Sequence, residues 1–285
     1  MEYFLNPWAI ALLLNTLLLG LAAVIPKKLL TPAGYLNAWL LGVLVWGCLG
    51  WRGYAVVMVY FLVGSGVTRI GQAQKEAAGI AEKRSGARGP ENVWGSALVG
   101  AICAVTIGGL QWQGHGEALV PLVTLAYVAS FSTKLSDTTA SEVGKVYGKR
   151  TFLITTLQPV PAGTEGAVSL EGTVAGIVGS LVIAGVASAI GFIAPVAIAI
   201  CAVAAFIATN AESVIGATLQ ARWPWLTNEV VNIVNTAIGA IAVYWNRGFE
   251  LFSRDRDTAV ADSLIEYGIE LKTTFRDQLL QAPGT

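Results

Sequence analysis

Apolar runs of bilayer length recur from one end of this chain to the other, and no other feature restricts its fold so sharply. Candidate spans fall at 7–25, 36–50, 54–70, 92–110, 119–133, 173–191, 195–211 and 230–246, where a crossing helix needs roughly 17 to 25 residues. Hydrocarbon offers no partner to backbone N–H and C=O groups, so these segments are predicted as helices. Only 13% of the 285 residues are charged and 54% are hydrophobic, whereas a soluble domain carries about 25% charged residues. The expectation is an all-α, polytopic transmembrane helix bundle of about 7–8 spans, with room for one re-entrant segment.

The first run, Pro7 to Ile25, is preceded only by Glu2 and followed by Lys27 and Lys28. That charge order fits a first transmembrane helix with its N-terminus outside better than a signal peptide. Loop 26–35 carries Lys27 and Lys28, loop 71–91 carries Lys75, Lys83, Arg84 and Arg88, and loop 134–172 carries Lys134, Lys145, Lys149 and Arg150, while 111–118 carries no Lys or Arg. The positive-inside rule then puts the basic loops on the cytoplasmic side. Eight spans would leave Arg247, Arg254 and Arg256 outside, so either a span is miscounted or one segment is re-entrant. Trp8, Trp51, Trp94, Trp112, Trp223, Trp225 and Trp245 fall near span ends, where headgroups favour indole rings. Gly172, Gly176, Ser180, Ala184 and Ser188 place a small residue at every fourth position, a face that lets another helix approach closely. Cys48, Cys103 and Cys201 sit in apolar runs without partner spacing and read as packing. A net charge of zero implies no bulk attraction to nucleic acid.

Against this background the stretch "KLSDTTASEVGKVYGK" is conspicuously polar: Asp137, Glu142, Lys134, Lys145 and Lys149 follow an apolar span directly. Ionisable groups at bilayer depth are costly and pair with one another or serve a site. On an unbroken helix Asp137 and Glu142 point about 140° apart, so both cannot chelate one ion. Either the helix breaks, or one carboxylate binds a metal while the other holds a lysine. Downstream, the prolines and glycines of "PVPAGTEGAVSLEGT" exclude a continuous helix before a span opens at Thr173. Gly163, Thr164, Gly166, Ser169 and Thr173 can seat an anion there, although "GTEG" also describes an ordinary turn. Glu165 and Glu171 offer metal or base chemistry.

Lys83, Arg84 and Arg88 in "AEKRSGARGPENVWG" can neutralise phosphates or simply anchor a loop. Glu212 is an isolated acid in an apolar region, and Asn228, Asn232 and Asn235 form a polar stripe at helical spacing suited to substrate contact or to interhelical hydrogen bonds. His115 is the single histidine, so neither a zinc site nor a Ser-His-Asp arrangement is available. Oxygen ligands with lysine and arginine remain, the set that holds Mg²⁺ and polyphosphate.

"SDTTASEVGKVYGKR", then "PVPAGTEGAVSLEGTVAG", with the earlier "GARGPENVWG", resembles the polytopic membrane protein family that includes the plastid phytyl-phosphate kinase of tocopherol synthesis. The resemblance covers most of residues 40–245. Its densest part is distantly similar to dolichol kinase, phytol kinase and CDP-diacylglycerol synthase, which share Asp-Thr, Gly-Lys-x-x-Gly-Lys and Glu-Gly-Thr. Here those are Asp137–Thr138, Gly144–Lys145 with Gly148–Lys149, and Glu171–Gly172–Thr173. The chain departs from the wider group in carrying "PVPAGTEG" where the others have lysine-rich turns.

The resemblance implies phosphoryl transfer from CTP, assisted by Mg²⁺, to a prenyl monophosphate such as phytyl phosphate. It implies catalytic roles for Asp137, Glu142, Lys145 and Glu171, with Asp137 a metal ligand and Glu142 a second. Lys134, Lys149, Gly163, Thr164, Gly166, Ser169 and Thr173 would hold nucleotide or phosphate. Lys83, Arg84 and Arg88 would offset the acceptor's charge, and Glu212, Asn228, Asn232 and Asn235 would contact substrate. A prenol kinase, a CDP-lipid cytidylyltransferase and an organic-anion transporter are the alternatives. The expected partners are a lipid phosphate, a nucleoside triphosphate and membrane lipids. The expected setting is a bacterial inner membrane or a photosynthetic membrane, with the site on the cytoplasmic face. A transmembrane catalytic domain is expected over 1–249. An amphipathic tail is expected over 250–285, where Val260, Leu264, Ile265, Ile269, Leu271, Phe275 and Leu279 supply the apolar face.

Overall fold

The computed structural model describes residues 6–24, 29–114, 119–220 and 222–244. The 250–285 tail, Arg247, His115 and the side chain of Lys83 lie outside the described residues. Helices α1 (Pro7–Ala23), α2 (Pro32–Thr68), α3 (Gln72–Ala77), α4 (Pro90–Trp112) and α5 (Leu119–Tyr147) precede a short antiparallel pair, β1 (Thr151–Leu153) and β2 (Ala167–Ser169). Helices α6 (Leu170–Ala189) and α7 (Ala197–Ile215, extended by a π turn to Gln220) follow, then α8 over 228–244. Five of these helices are long and apolar enough to cross a membrane. The protein is an all-α polytopic membrane bundle.

At 1.5 Å per residue a straight α2 of 37 residues would reach about 55 Å, well beyond a hydrocarbon core of about 30 Å. Gly50 resolves this. Its φ of 63° and ψ of −160° belong to a region essentially reserved for glycine, and the chain doubles back there. Gly34 and Gly64 both come to rest against Arg88, the second with room for a Cβ only 2.9 Å from its guanidinium. Trp46 and Tyr54, either side of the break, bring their rings to 5.2 Å. The expected spans 36–50 and 54–70 are therefore two arms of one element, joined without a polar loop.

Contacts between helices fix their alternation. At one end, the Tyr127 hydroxyl donates to the Gly53 carbonyl at 2.7 Å and Cys48 lies against Gly108. At the other end gather both outer ends of α2, the start of α4, the C-terminus of α5, the start of α6 and the end of α7. Helix α5 is the axis of this arrangement. In its apolar window 72% of residues are buried, against 28–50% in the other four long helices. Its polar residues therefore face protein, which is where ionisable groups in a membrane bundle are tolerated.

The small-residue face of α6 is the surface that lies on α5. A Cβ on Gly172 would meet the Ala140 carbonyl oxygen at 2.6 Å, and one on Gly176 would meet the Ser136 carbonyl oxygen at 3.1 Å. Gly172→Ala is expected to cost about 1–3 kcal/mol through overpacking against rigid backbone, read as a lower unfolding midpoint in detergent. An unchanged midpoint would show that the two helices can part by the width of a methyl group.

The β1–β2 pair and the short helix α3, within a stretch read as a loop, are regular elements not expected from the sequence. Thr151 pairs with Ser169 and Leu153 with Ala167, which satisfies backbone that the prolines keep out of a helix.

Candidate active site

A cavity of about 750 Å³ opens at the end where these helix termini gather. Three turns of α5 supply its charged floor. Lys134 and Asp137 lie at i, i+3 on one face, and the Lys134 ammonium donates to Asp137 Oδ2 at 2.5 Å and to Asn232 Oδ1 of α8 at 2.6 Å. Across from them the Glu212 carboxyl, on the last turns of α7, lines the same cavity close to Asp137. The Asn235 side-chain amide of α8 donates to Glu212. Two carboxyl groups thus face each other with one ammonium beside them.

That donor set fits magnesium. Among the described residues no cluster of three or more His, Cys, Asp or Glu side chains is placed to hold a metal by itself. Magnesium, however, is usually held by one or two carboxylates together with substrate phosphates and water.

Glu142 takes a different part from the expected second metal ligand. It is 2% exposed and ion-paired with Lys75, itself fully buried, and with Lys145 at 3.0 Å. Because α5 is unbroken to Tyr147, Glu142 points away from Asp137 and holds lysines. Lys75 also donates to the Thr68 carbonyl at 2.7 Å, so this buried pair ties the 69–89 segment to α5.

Two cations of that segment line the cavity. Arg88 lines the cavity, donates to the Tyr60 hydroxyl at 2.8 Å and stacks over the Tyr60 ring at 5.1 Å. Arg84 also lines it, pairing with Glu91 and donating to Asn92 Oδ1 at 3.0 Å. Lys145 completes the cationic wall, with Glu82 at 3.9 Å as a second partner.

The β1–β2 loop covers the cavity. Gly163 (φ 87°) abuts Ile80, and Gly166 (φ 74°) sits so close to α7 that a Cβ would meet the Ser213 carbonyl oxygen at 2.5 Å. Gly163, Thr164, Gly166, Ser169 and Thr173 all line the cavity. Ser169 also serves as the α6 N-cap, accepting from the Gly172 amide at 3.1 Å, and Thr173 donates to the Ser169 carbonyl at 2.9 Å. Asn228 and Asn232 line the wall from α8.

Lys149 and Glu171 are not part of the cavity wall. The Lys149 amide donates to Glu171 Oε2 at 3.4 Å, a contact at the α6 N-terminus, where a carboxylate is favoured by the helix dipole. The two residues therefore stand together at the α6 N-terminus, beside the cavity and not on its wall.

Lys75 and Tyr60 were not among the residues singled out from sequence. "AQKEA" carries no mark separating Lys75 from a solvated helix lysine, and Tyr60 is one aromatic in an apolar span.

The arrangement has relatives. A family model described as integral membrane protein DUF92 matches residues 15–240. The chain belongs to this family. It is 66% identical over 236 residues to an uncharacterized membrane protein of Synechocystis sp., spanning 82% of this chain and 89% of that one. It is 43% identical over 246 residues to the chloroplastic protein VTE6 of Arabidopsis thaliana, spanning 86% and 73% respectively. An uncharacterized membrane protein of Methanocaldococcus jannaschii is 30% identical over 238 residues, spanning 81% and 92%. No solved structure matches.

Proposed function

We propose that this DUF92 protein transfers the γ-phosphoryl group of a nucleoside triphosphate, CTP in the first instance, to a prenyl monophosphate at the cytoplasmic end of the bundle. The single observation that carries the reading is the convergence of Lys134 and Asp137 of α5, Glu212 of α7 and Arg88 of the segment before α4 on one cavity. The resemblance to a plastid phytyl-phosphate kinase, and the 43% identity to a chloroplastic plant relative, support it.

An acceptor phosphate oxygen attacks the γ-phosphorus, the bond from γ-phosphorus to the β,γ-bridging oxygen breaks, and the nucleoside diphosphate leaves. A phosphate acceptor already carries a nucleophilic oxygen, so the protein's task is positioning and charge neutralisation, which supply most of the rate in such transfers. Arg88 and Arg84 stand where they offset the charge of two anionic substrates. Lys134 stays with Asp137 and steadies the developing charge from the floor. Asp137 and Glu212 would hold magnesium, which when bound with nucleotide neutralises phosphate oxygens. The glycines of the β1–β2 loop let backbone approach the phosphates without side-chain obstruction.

The test is the purified protein in detergent with γ-labelled CTP, ATP, GTP or UTP and a C20 prenyl monophosphate. The expected products are the labelled prenyl diphosphate and the nucleoside diphosphate. Release of pyrophosphate with a nucleotidyl-lipid product would point to cytidylyl transfer, and absence of any nucleotide turnover would remove the enzymatic reading.

A further inference from the structure

We infer that the cavity opens sideways into the bilayer between α6 and α7, at a rim formed by Ile177 and Phe206, and that the prenyl tail of the lipid phosphate leaves through this opening. The inference rests on the lipid-phosphate reading above and adds a tail-binding site to it.

The evidence begins with helical geometry. On α6, Val174, Val178 and Leu181 are exposed, and on α7 Val203, Ile207 and Val214 are exposed. The first set recurs at i, i+4, i+7 and the second at i, i+4, i+11, spacings that each keep to one helix face and mark the centre of a lipid-facing stripe. None of the six lines the cavity. Ile177 and Phe206 each sit three positions along from Val174 and Val203, hence about 60° around the helix from the stripe. Both are exposed, at 39% and 45%, and unlike the other six both line the cavity. They therefore stand at the edge where the polar chamber meets lipid.

Level supports the same route. Gly176 rests on Ser136 and Ala140, and Thr209 bonds Ser136, so Ile177 lies level with Asp137 and Phe206 one turn from Thr209, near the level of Lys134. At this level the lining changes sideways, from Asp137, Glu212 and Lys134 inside the bundle to Ile177 and Phe206 at its lipid-facing edge. A molecule with an anionic head and one apolar tail matches that order. Volume gives a second reason. Drug-sized ligands occupy cavities of about 300–1,000 Å³, so a chamber of about 750 Å³ that receives a nucleotide and a phosphate head leaves a long tail to lie outside it.

The probe is a C20 prenyl monophosphate carrying a diazirine near the tail end, irradiated with the full-length protein in nanodiscs. Label is expected on segments 174–178 and 203–207, displaced by excess unlabelled C20 prenyl monophosphate. Ile177→Trp with Phe206→Trp is expected to lower labelling about tenfold while magnesium–CTP still raises the thermal midpoint as in the parent protein. Ile177→Ala with Phe206→Ala is expected to retain labelling. Label on α1, α2 or α4 instead would overturn the portal, as would displacement by phosphatidic acid as readily as by the prenyl phosphate. Label at this rim with no diphosphate product from any nucleotide would leave the portal standing and remove the kinase reading. Diphosphate product with label elsewhere would do the reverse.

Discussion

Asp137→Asn is expected to lower phosphoryl transfer by about 10²–10³-fold, the usual cost of deleting one preorganised electrostatic group aimed at developing charge. The carboxyl lies close to Glu212 and takes a hydrogen bond from Lys134 at 2.5 Å. Asparagine keeps the volume but removes the charge that pairs with the ammonium and that would hold magnesium on the proposed reading. Glu212→Gln is expected to act in the same direction. The two changes combined should cost less than the product of their separate effects, because groups that work as one unit are strongly non-additive. A second measurement separates a lost metal site from a damaged fold. Magnesium–CTP should raise the thermal midpoint of the parent protein by mass action and leave the Asp137→Asn midpoint unmoved, while the midpoints without nucleotide stay close. Full turnover in Asp137→Asn would show that the facing carboxylates are not the reaction centre.

Lys75→Met is expected to destabilise the protein by about 3–5 kcal/mol, the range found when one member of a buried pair is removed and the other is left uncompensated. Lys75 is fully buried and Glu142 only 2% exposed. Lys145, which is 20% exposed and bonded to the same carboxylate at 3.0 Å, softens the loss towards the lower figure. Lys75→Met with Glu142→Leu should recover much of the stability, since an apolar pair of similar volume is often neutral or better than a buried ion pair. Its turnover should nonetheless stay depressed through a raised KM, because the 69–89 segment that carries Arg88 would lose its tie to α5. Unfolding in a mixed-detergent titration gives the first quantity and steady-state kinetics the second. If the double variant regained both stability and KM, the clamp would be a matter of stability alone.

Much of this site could be read along the chain because polar residues are rare in it. Asp137, Lys134, Arg88, Glu212 and Asn232 all stand out from apolar or glycine-rich surroundings, and all five line the same cavity. The angle between Asp137 and Glu142 on a continuous α5 also followed from helical geometry, with two outcomes left open. Both carboxylates hold a lysine, Asp137 the nearby Lys134, but the buried partner of Glu142 comes through a contact spanning 67 positions, Lys75 to Glu142. Local pattern carries no trace of a pairing so distant. The strands 151–153 and 167–169 are not legible in the sequence for a related reason. Each has three residues, too few for an alternating pattern to register, and they form because they find each other.

Hydropathy by itself determined that this chain forms helices across a bilayer, since an apolar run of that length has no other way to satisfy its backbone in lipid. Residue spacing determined that α6 offers a small-residue face, which the structure sets against α5. Only the tertiary structure decided that Gly50 folds one long helix into two arms, that Glu212 faces Asp137, and that Glu142 is held by Lys75. These are long-range choices among chemically equivalent partners. Periodicity constrains a residue to a face of its own helix, while the identity of the neighbour on that face depends on how all the helices pack together.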